Sequence, residues 1–550
     1  MNGSHLIVAP VVIPLLAGAT LLLLERRAER SPGGASRLPA SISLAAVLLQ
    51  LFVALILAAN AAGGDVSSYL LGNWQAPFGI ALALDRLSAM MLVLTALLAL
   101  ATGVYARGGD AERGPHFHAL FHFQLMGLNG AFLTADLFNL FVFFEVLLIA
   151  SYGLLLHGGG AARLKASIHY VAFNLAGSAL FLIAISLLYG LTGTLNMADL
   201  AERVSALPGG DTAAVRAAGL LLLVVFSVKA ALLPLYFWLP ATYSSATAPV
   251  AALFAIMTKV GIYAIARMYT LVFGEGGGVA ANLTWPLLPL LALGTLLLGS
   301  LGVLATSRLR MLVAYLVVGS AGTLLLALGL GTESSVSAGL FYLINSTLMT
   351  GAFFLLADRI AAARPSHGDQ LEPDGLTGSA GMLGAAFFVC AVAAGGLPPL
   401  AGFLGKAMLL DAASTTSLAT WSWLIILLAG LLTIVALSRS GSMVFWRSAA
   451  DGHGAHGDTA HGHAAPGPAA PQAGGLTGSH RFGIGLLVLA LPLLALFAGP
   501  LHAYTNATAS QLFERRPYID AVLGARPVPP AIDVRREMRE RGEIKGARTP

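Results

Sequence analysis

Four ionisable side chains of this 550-residue chain stand inside runs apolar enough to cross a membrane. Glu145 lies in the middle of LFNLFVFFEVLLIASYGLLL, Lys229 in LLLVVFSVKAALLPLYFW, Lys259 in ALFAIMTKVGIYAIA and Lys406 in GGLPPLAGFLGKAMLL. A charge at the centre of a membrane-spanning helix costs roughly 2.5–3.5 kcal/mol on insertion scales, so such residues mark a function or a partner. Only five lysines occur against 26 arginines, and three of the five are these interior ones. Arginine keeps its proton at any accessible pH, whereas a buried lysine shifts readily and can release one. One glutamate and three interior lysines therefore suit a path for protons. The competing reading is that the charges only fasten helices together. It accounts for one interior lysine easily, and poorly for three that are each expected seven or more residues from a helix end. Glu145 is expected to pair with one of the lysines, and Asp85, Asp136 and Asp358 are expected at the membrane interfaces.

The elements that must hold these residues follow from composition. Hydrophobic residues make up 57% of the chain and charged residues 10%, with a mean hydropathy of +0.80; soluble domains carry about 25% charged residues. The apolar material comes in blocks of about 20 residues, the length that crosses a hydrocarbon core of about 30 Å. The fold class is an all-α polytopic membrane protein, without the alternation of a β-barrel. Fourteen spans are predicted, at 5–24, 40–60, 85–106, 117–135, 137–156, 167–190, 215–239, 244–272, 284–305, 311–330, 336–361, 381–411, 421–446 and 482–502. With the N-terminus outside, the odd-numbered connections hold fifteen Arg and Lys, and the even ones only Arg86, Arg203, Arg216 and Arg267. That bias supports both the count and the orientation. The tail beyond residue 510 carries nine basic residues and sits on the less basic side in this count.

Several segments are set apart. Residues 195–216 read as a short amphipathic surface helix and a turn. Residues 448–481 form a His/Gly/Pro-rich cytoplasmic loop expected to be disordered. Its histidines, His453, His456, His461, His463 and His480, offer loose metal ligation at most, without a structured cage. The lone cysteine, Cys390, excludes an internal disulfide and reads as a small buried hydrophobe. The first apolar run lacks a basic lead and a small-residue cleavage signal, so it is read as a retained helix.

Helix breakers stand beside two of the lysines. Pro234 follows Lys229 by five residues, while Gly395, Gly396, Pro398 and Pro399 precede Lys406 by seven to eleven. A broken helix at membrane depth is tolerated where it is buried in protein or lines a watery cavity. The break comes after the lysine in span 7 and before it in span 12, the order that two repeats of opposite topology would give. The expected organisation is spans 1–3 (1–116), a five-helix repeat (117–272), a second one (284–447), the loop (448–481), the last span (482–502) and a charged tail (503–550).

The segment SVKAALLPLYFWLPATYSSATAPVAALFAIMTKVGIYAIAR is similar to the most characteristic region of the proton-translocating subunits shared by respiratory complex I and the multisubunit Mrp/Pha cation/proton antiporters. LFNLFVFFEVLLIASYGLLLHGG and GLPPLAGFLGKAMLL resemble the two other signature regions. YLLGNWQAPFGIALALDRLSAMMLVL, VVGSAGTLLLALGLG and SRSGSMVFWR resemble the D-type subunit of the antiporters more than a complex I subunit. The resemblance covers about residues 1–525. It implies that Glu145 is the glutamate of span 5 and Lys229 its partner on span 7, with Lys259 the connecting lysine and Lys406 the terminal one on broken span 12. It also implies two half-channels joined by a hydrated polar axis, with activity that depends on the whole assembly. Many relatives carry a histidine on span 11 where LFYLINSTLMTGAFF has Asn345. An amide does not titrate near neutral pH, so this step would fall to water, or to Ser346 or Thr347. His169 on span 6 is a candidate substitute, read more readily as a satisfied interior residue.

The resulting expectation is an ion-translocating subunit of a Na+ or K+/H+ antiporter, a secondary transporter rather than an enzyme, without cofactor or metal. Its expected partners are other antiporter subunits, the lipid bilayer, H+ and Na+ or K+, and no nucleic acid. The expected location is the inner (plasma) membrane, multi-pass. The alternative is a proton-pumping membrane subunit of an NADH:quinone oxidoreductase or a membrane-bound hydrogenase. A third reading, a scaffold with buried charges as fasteners, belongs to a different class.

Overall fold

The computed structural model describes residues 3–29, 38–364, 366–373, 380–446 and 476–528. It is almost entirely helical, because lipid offers no partner for backbone N–H and C=O groups and a helix satisfies them within one segment. In chain order the helices are α1 Ala9–Glu29, α2 Leu38–Ala61, α3 Arg86–Ala106, α4 Phe117–Leu133, α5 Leu137–Leu156, α6 Ala161–Thr192 and α7 Met197–Ser205. There follow α8 Thr212–Ala230, α9 Trp238–Ser245, α10 Ala248–Phe254, α11 Met257–Leu271, α12 Leu287–Ala305, α13 Leu309–Gly329 and α14 Glu333–Ala362. The remainder are α15 Ala380–Gly395, α16 Ala401–Ser414, α17 Ala419–Gly441, α18 Gly478–Leu496, α19 Ala498–Phe513 and α20 Arg515–Leu523. Among the described residues, twelve helical segments are long and apolar enough to cross a membrane, with α10 and α11 counted as one. Two of the fourteen expected spans differ: 117–135 yields a 17-residue α4, and 381–411 is split into α15 and α16.

The expectation of an all-helical chain misses one small element. Strands β1 Ser67–Leu70 and β2 Ala81–Leu84 pair antiparallel, with Ser67 opposite Leu84 and Leu70 opposite Ala81. The Ala135 N–H donates to the Ala81 carbonyl, so the hairpin is laced to the α4–α5 turn. Four-residue strands within a strongly apolar chain carry too little alternation to be separated from helix ends.

Of the three acids expected at interfaces, Asp85 and Asp136 cap helices, and Asp85 and Asp358 are buried. The Asp85 carboxylate accepts the Ser88 N–H at 2.9 Å and caps α3; Asp136 does the same for α5 through Asn139 at 2.8 Å. Burial pushes the Asp136 carboxyl above the usual carboxylate range. Asp85 is 2% exposed and pairs with Arg267 at 2.6 Å, so this helix end is buried in protein. Asp358 is also buried and takes Arg310, Arg359 and the Tyr105 hydroxyl. A buried carboxylate is tolerated when every oxygen has a charged or hydrogen-bonded partner, and these do.

The last apolar span ends earlier than expected, at Leu496, and the chain turns back as α19 and α20. Helix α19 packs on α14, which also touches α10, α13, α15, α16 and α18. The apolar windows of α10–α11 and α14 are wholly buried, so these form the central pillars. His453, His456, His461 and His463 lie outside the described residues. His480 is not in a loop: it is the third residue of α18, 3% exposed, 3.9 Å from Asp110.

Candidate functional site

All three interior lysines stand near helix discontinuities, not deep inside unbroken helices. Lys229 is the penultimate residue of α8, and Ala231 behind it adopts a left-handed conformation (φ 57°). Pro234, exposed in the following turn, cannot continue the helix. The indole of Trp238 donates to the Val228 carbonyl at 3.1 Å, and the Leu233 N–H to Thr295 Oγ1 at 2.9 Å. Lys259 is the third residue of α11, just past the gap that separates it from α10. Lys406 is the sixth residue of α16, beyond the gap after α15. The mirrored order is present: break after the lysine in the first case, before it in the last.

Glu145 and Lys229 do not meet directly. Helix α6 packs against both α5 and α8 and supplies the groups between them. Ser178 donates to Glu145 Oε1, and Lys229 Nζ donates to Asn174 Oδ1 at 3.0 Å. Asn174 and Ser178 are four residues apart and so share one helix face. The Asn174 amide is held in place because its Nδ2 donates to the Tyr170 carbonyl one turn back at 2.9 Å. One turn earlier, the Tyr170 hydroxyl meets Ser151 Oγ at 2.8 Å and ties α6 to α5. Lys229 Nζ also lies 5.9 Å from the centre of the Phe144 ring, next in sequence to Glu145. Lys229 is 7% exposed and Glu145 half-buried. An indirect pair of this kind leaves each charge with one polar neighbour and neither neutralised.

From Lys229 close helix packing leads toward the next buried lysine and the other half of the chain. Helix α11 closes onto α8 at Gly261, where a Cβ would lie 2.6 Å from the Ala230 nitrogen and 2.9 Å from the Lys229 carbonyl carbon. Only glycine permits that approach. Two residues earlier, fully buried Lys259 donates to Ser320 Oγ of α13 at 3.2 Å. Ser320 in turn lines a cavity of ≈ 30 Å³ whose wall also holds Thr323, Tyr342, Thr433 and Lys406. That is room for two or three waters, at about 10–15 Å³ for each. At its far side, Lys406 Nζ donates to the carbonyls of Ala394 and Gly395 at 3.1 and 3.0 Å. Those carbonyls end α15 and have lost their helical partners to the break.

The supporting residues separate into two groups. Asn345 is 1% exposed, and neither of its amide atoms has a hydrogen-bond partner among the described residues. It abuts α16 at Gly402, where a Cβ would sit 3.2 Å from Asn345 Nδ2. Ser346 and Thr347 are buried and donate back to the Leu343 carbonyl at 3.2 and 2.8 Å. His169 is not interior. It is exposed on α6, its Nδ1 3.0 Å from the Lys165 carbonyl, on a different face from Asn174 and Ser178. Asn174, Ser178 and Ser320 were missed because neutral polar residues are common in membrane helices, and only their position against a charge singles them out.

Known proteins share the segment that carries this arrangement. Residues 134–435, which include Glu145 and all three lysines, match the family model described as NADH:quinone oxidoreductase/Mrp antiporter, TM. The D-type subunit of a probable K+/H+ antiporter from Rhizobium meliloti is 44% identical over 81% of this chain and 87% of its own length. The chain belongs to this antiporter family. The D-type subunit of a Na+/H+ antiporter from Alkalihalophilus pseudofirmus is 34% identical over 94% of this chain and 99% of its own. Among solved structures, a chain of the Mrp complex from Dietzia sp. superposes with a TM-score of 0.81 at 26% identity, covering 95% of this chain and 100% of that one. A chain of respiratory complex I from Thermus thermophilus does so with a TM-score of 0.72 at 26% identity, covering 92% and 99%. Membership of the antiporter family makes the chain a multi-pass membrane protein of the transporter class.

Proposed function

We propose that this chain is the D-type ion-translocating subunit of a multisubunit Na+ or K+/H+ antiporter, and that protons move along Glu145, Lys229, Lys259 and Lys406. The observation that carries the reading is the series of polar groups from Glu145 through Ser178, Asn174, Lys229, Lys259 and Ser320 to Lys406, linked in part by hydrogen bonds and at its end by a shared cavity, all within the family-matched segment. The route works by charge coupling. Movement of Asn174 or Ser178 brings Glu145 and Lys229 closer or holds them apart, which raises or lowers the lysine's hold on its proton. Two positive lysines in a medium of low dielectric repel one another, so a proton taken up at Lys229 drives one off Lys259 toward the cavity and Lys406. Water in the Ser320–Lys406 cavity and beside Asn345 bridges the last step.

The mirrored breaks support two inverted repeats of five spans each, residues 117–272 and 284–447, as the two half-channels. Other antiporter subunits complete the assembly, and the N-terminus lies outside the cytoplasm. The test is fluorescence-detected antiport in everted vesicles carrying the full complex, with Na+, K+ and Li+ offered in turn. Cation-dependent proton movement without an electron donor, lost in Lys229→Ala, is the expected result. An absolute requirement for an electron donor would replace this reading with that of a redox-complex subunit.

A further inference from the structure

The helices that precede the charged path hold a second set of buried polar groups. Helices α1 and α3 each pack against both α2 and α4, so α2 and α4 face one another diagonally across the axis of a four-helix group. A hydrogen bond between His122 Nε2 and Ser43 Oγ, 3.0 Å, crosses that axis. Seven residues further along each helix stand Gln50 and Asn129, about 10 Å deeper at 1.5 Å per residue and on the same helix faces. His122, Asn129 and Gln50 are 0%, 0% and 1% exposed. Gln50 Nε2 and Oε1, His122 Nδ1 and Asn129 Oδ1 have no hydrogen-bond partner among the described residues.

Leaving such atoms unpaired costs about 1–3 kcal/mol each, and ordered water is the partner that buried polar groups of this kind recruit. The chemistry of the set selects water over a bare cation. A cation takes acceptors only, whereas Gln50 presents an NH₂ donor beside its oxygen. At the near end, His118 lies one turn before His122, and Glu25 pairs with His116 at 2.9 Å. At the far end Asn129 Nδ2 donates to the Pro10 carbonyl at 2.8 Å, which joins α4 to the start of α1.

We propose that the axis between α2 and α4 carries a hydrated file that conducts protons, separate from the Glu145–Lys406 path and closed at its far end by the Asn129–Pro10 hydrogen bond. His122 is its relay, since imidazole takes a proton at one nitrogen as it releases one from the other. The Asn129–Pro10 bond is the gate that prevents a leak while the transporter rests.

The experiment uses the full complex with Cys390→Ala, which removes the only native thiol of this chain. Gln50→Cys is treated with a membrane-impermeant, positively charged methanethiosulfonate and compared with Val313→Cys in the packed interior of α13. Labelling at least tenfold faster at position 50 is expected; equal rates would mean a dry axis and overturn the proposal. Ser43→Cys, a smaller change, gives the same reading where Gln50→Cys does not assemble. This arm is independent of the antiport reading. The second arm rests on that reading: Asn129→Ala is expected to raise passive proton leak in vesicles without added cation. Gln50→Leu is expected to lower coupled proton flux at least fivefold. Leak and flux equal to wild type, with labelling intact, would leave a hydrated but non-conducting axis and overturn the conducting role.

Discussion

The first and last lysines of the path solve the same problem in opposite ways. Lys229 ends its helix segment before the break and reaches a neighbouring helix, where the Asn174 amide and then Ser178 connect it to a carboxylate. Lys406 follows its break and turns back on its own span, where two released carbonyls of α15 receive it. The first therefore faces a negative charge across two intervening side chains, and the second a pair of backbone dipoles. A lysine opposite a carboxylate can be switched by a small shift of the residues between them. A lysine held by backbone carbonyls changes its proton affinity mainly when another charge or water arrives. On the proposed path, this difference assigns the two ends different parts: the first for switching, the last for receiving and release.

That contrast is broken first by removing the switched lysine. Lys229→Ala in an assembled complex is expected to reduce antiport to background, measured as cation-induced proton movement in everted vesicles. If a transporting, fully assembled Lys229→Ala complex were found, the proposed succession could not be the route. A smaller loss is expected at the bridging amide. Asn174→Leu removes a hydrogen bond to a charged group, worth about 1.5–3 kcal/mol, and should slow antiport by about tenfold or more. Asn174→Asp should slow it too, by giving Lys229 a direct and permanent ion pair. Equal activity of both variants and wild type would assign α6 a packing role only.

The receiving end is sharpened by Gly396, whose left-handed φ of 74° and position beside Lys406 leave no room for a side chain. A Cβ there would fall 2.9 Å from Lys406 Nζ. Gly396→Ala is expected to dislodge the lysine from its carbonyls and cut the rate several-fold, with KM for the cation unchanged. A change in cation KM alone would place the cation, not the proton, at this break.

The smallest effect concerns stability outside the path. Burial and the nearby Asp358 charge push the Asp110 carboxyl up to about 6, in spite of Arg113 at 3.2 Å. A raised carboxyl favours the folded state below its unfolded value near 3.9, and that advantage is lost as pH climbs through about 6. Asp110→Asn should therefore raise the thermal midpoint of the purified complex at pH 7.5 and change it little at pH 4. A gain of the same size at both values would trace the effect to packing.

Much of this protein was legible without coordinates, for specific reasons. Glu145, Lys229, Lys259 and Lys406 announced themselves because a charge in an apolar run is costly and therefore meaningful. The breaks near Pro234 and at Gly396 were visible because proline and left-handed glycine interrupt helices in any context. Asn174 and Ser178 were not, since an amide and a hydroxyl four residues apart look the same whether they face a lysine or merely bond their own helix. His169 illustrates the reverse error: a titratable residue near the right depth, on the wrong face of α6. Asp85 and Arg267 sit at helix ends in sequence, and nothing in sequence tells that they are buried against each other.

The amino-acid sequence alone thus determined the class of solvent, the approximate spans, and the charged residues that the bilayer makes expensive, because these depend on local composition and on the fixed period of the helix. Tertiary structure alone decided that α6 separates Glu145 from Lys229 and that Gly261 brings α11 onto α8. It also set Ser320 and Lys406 on one cavity. Those are contacts between helix faces up to 86 residues apart in the chain (Ser320 to Lys406), and lipid-facing and protein-facing sides of a uniformly apolar helix cannot be told apart until the neighbours are in place.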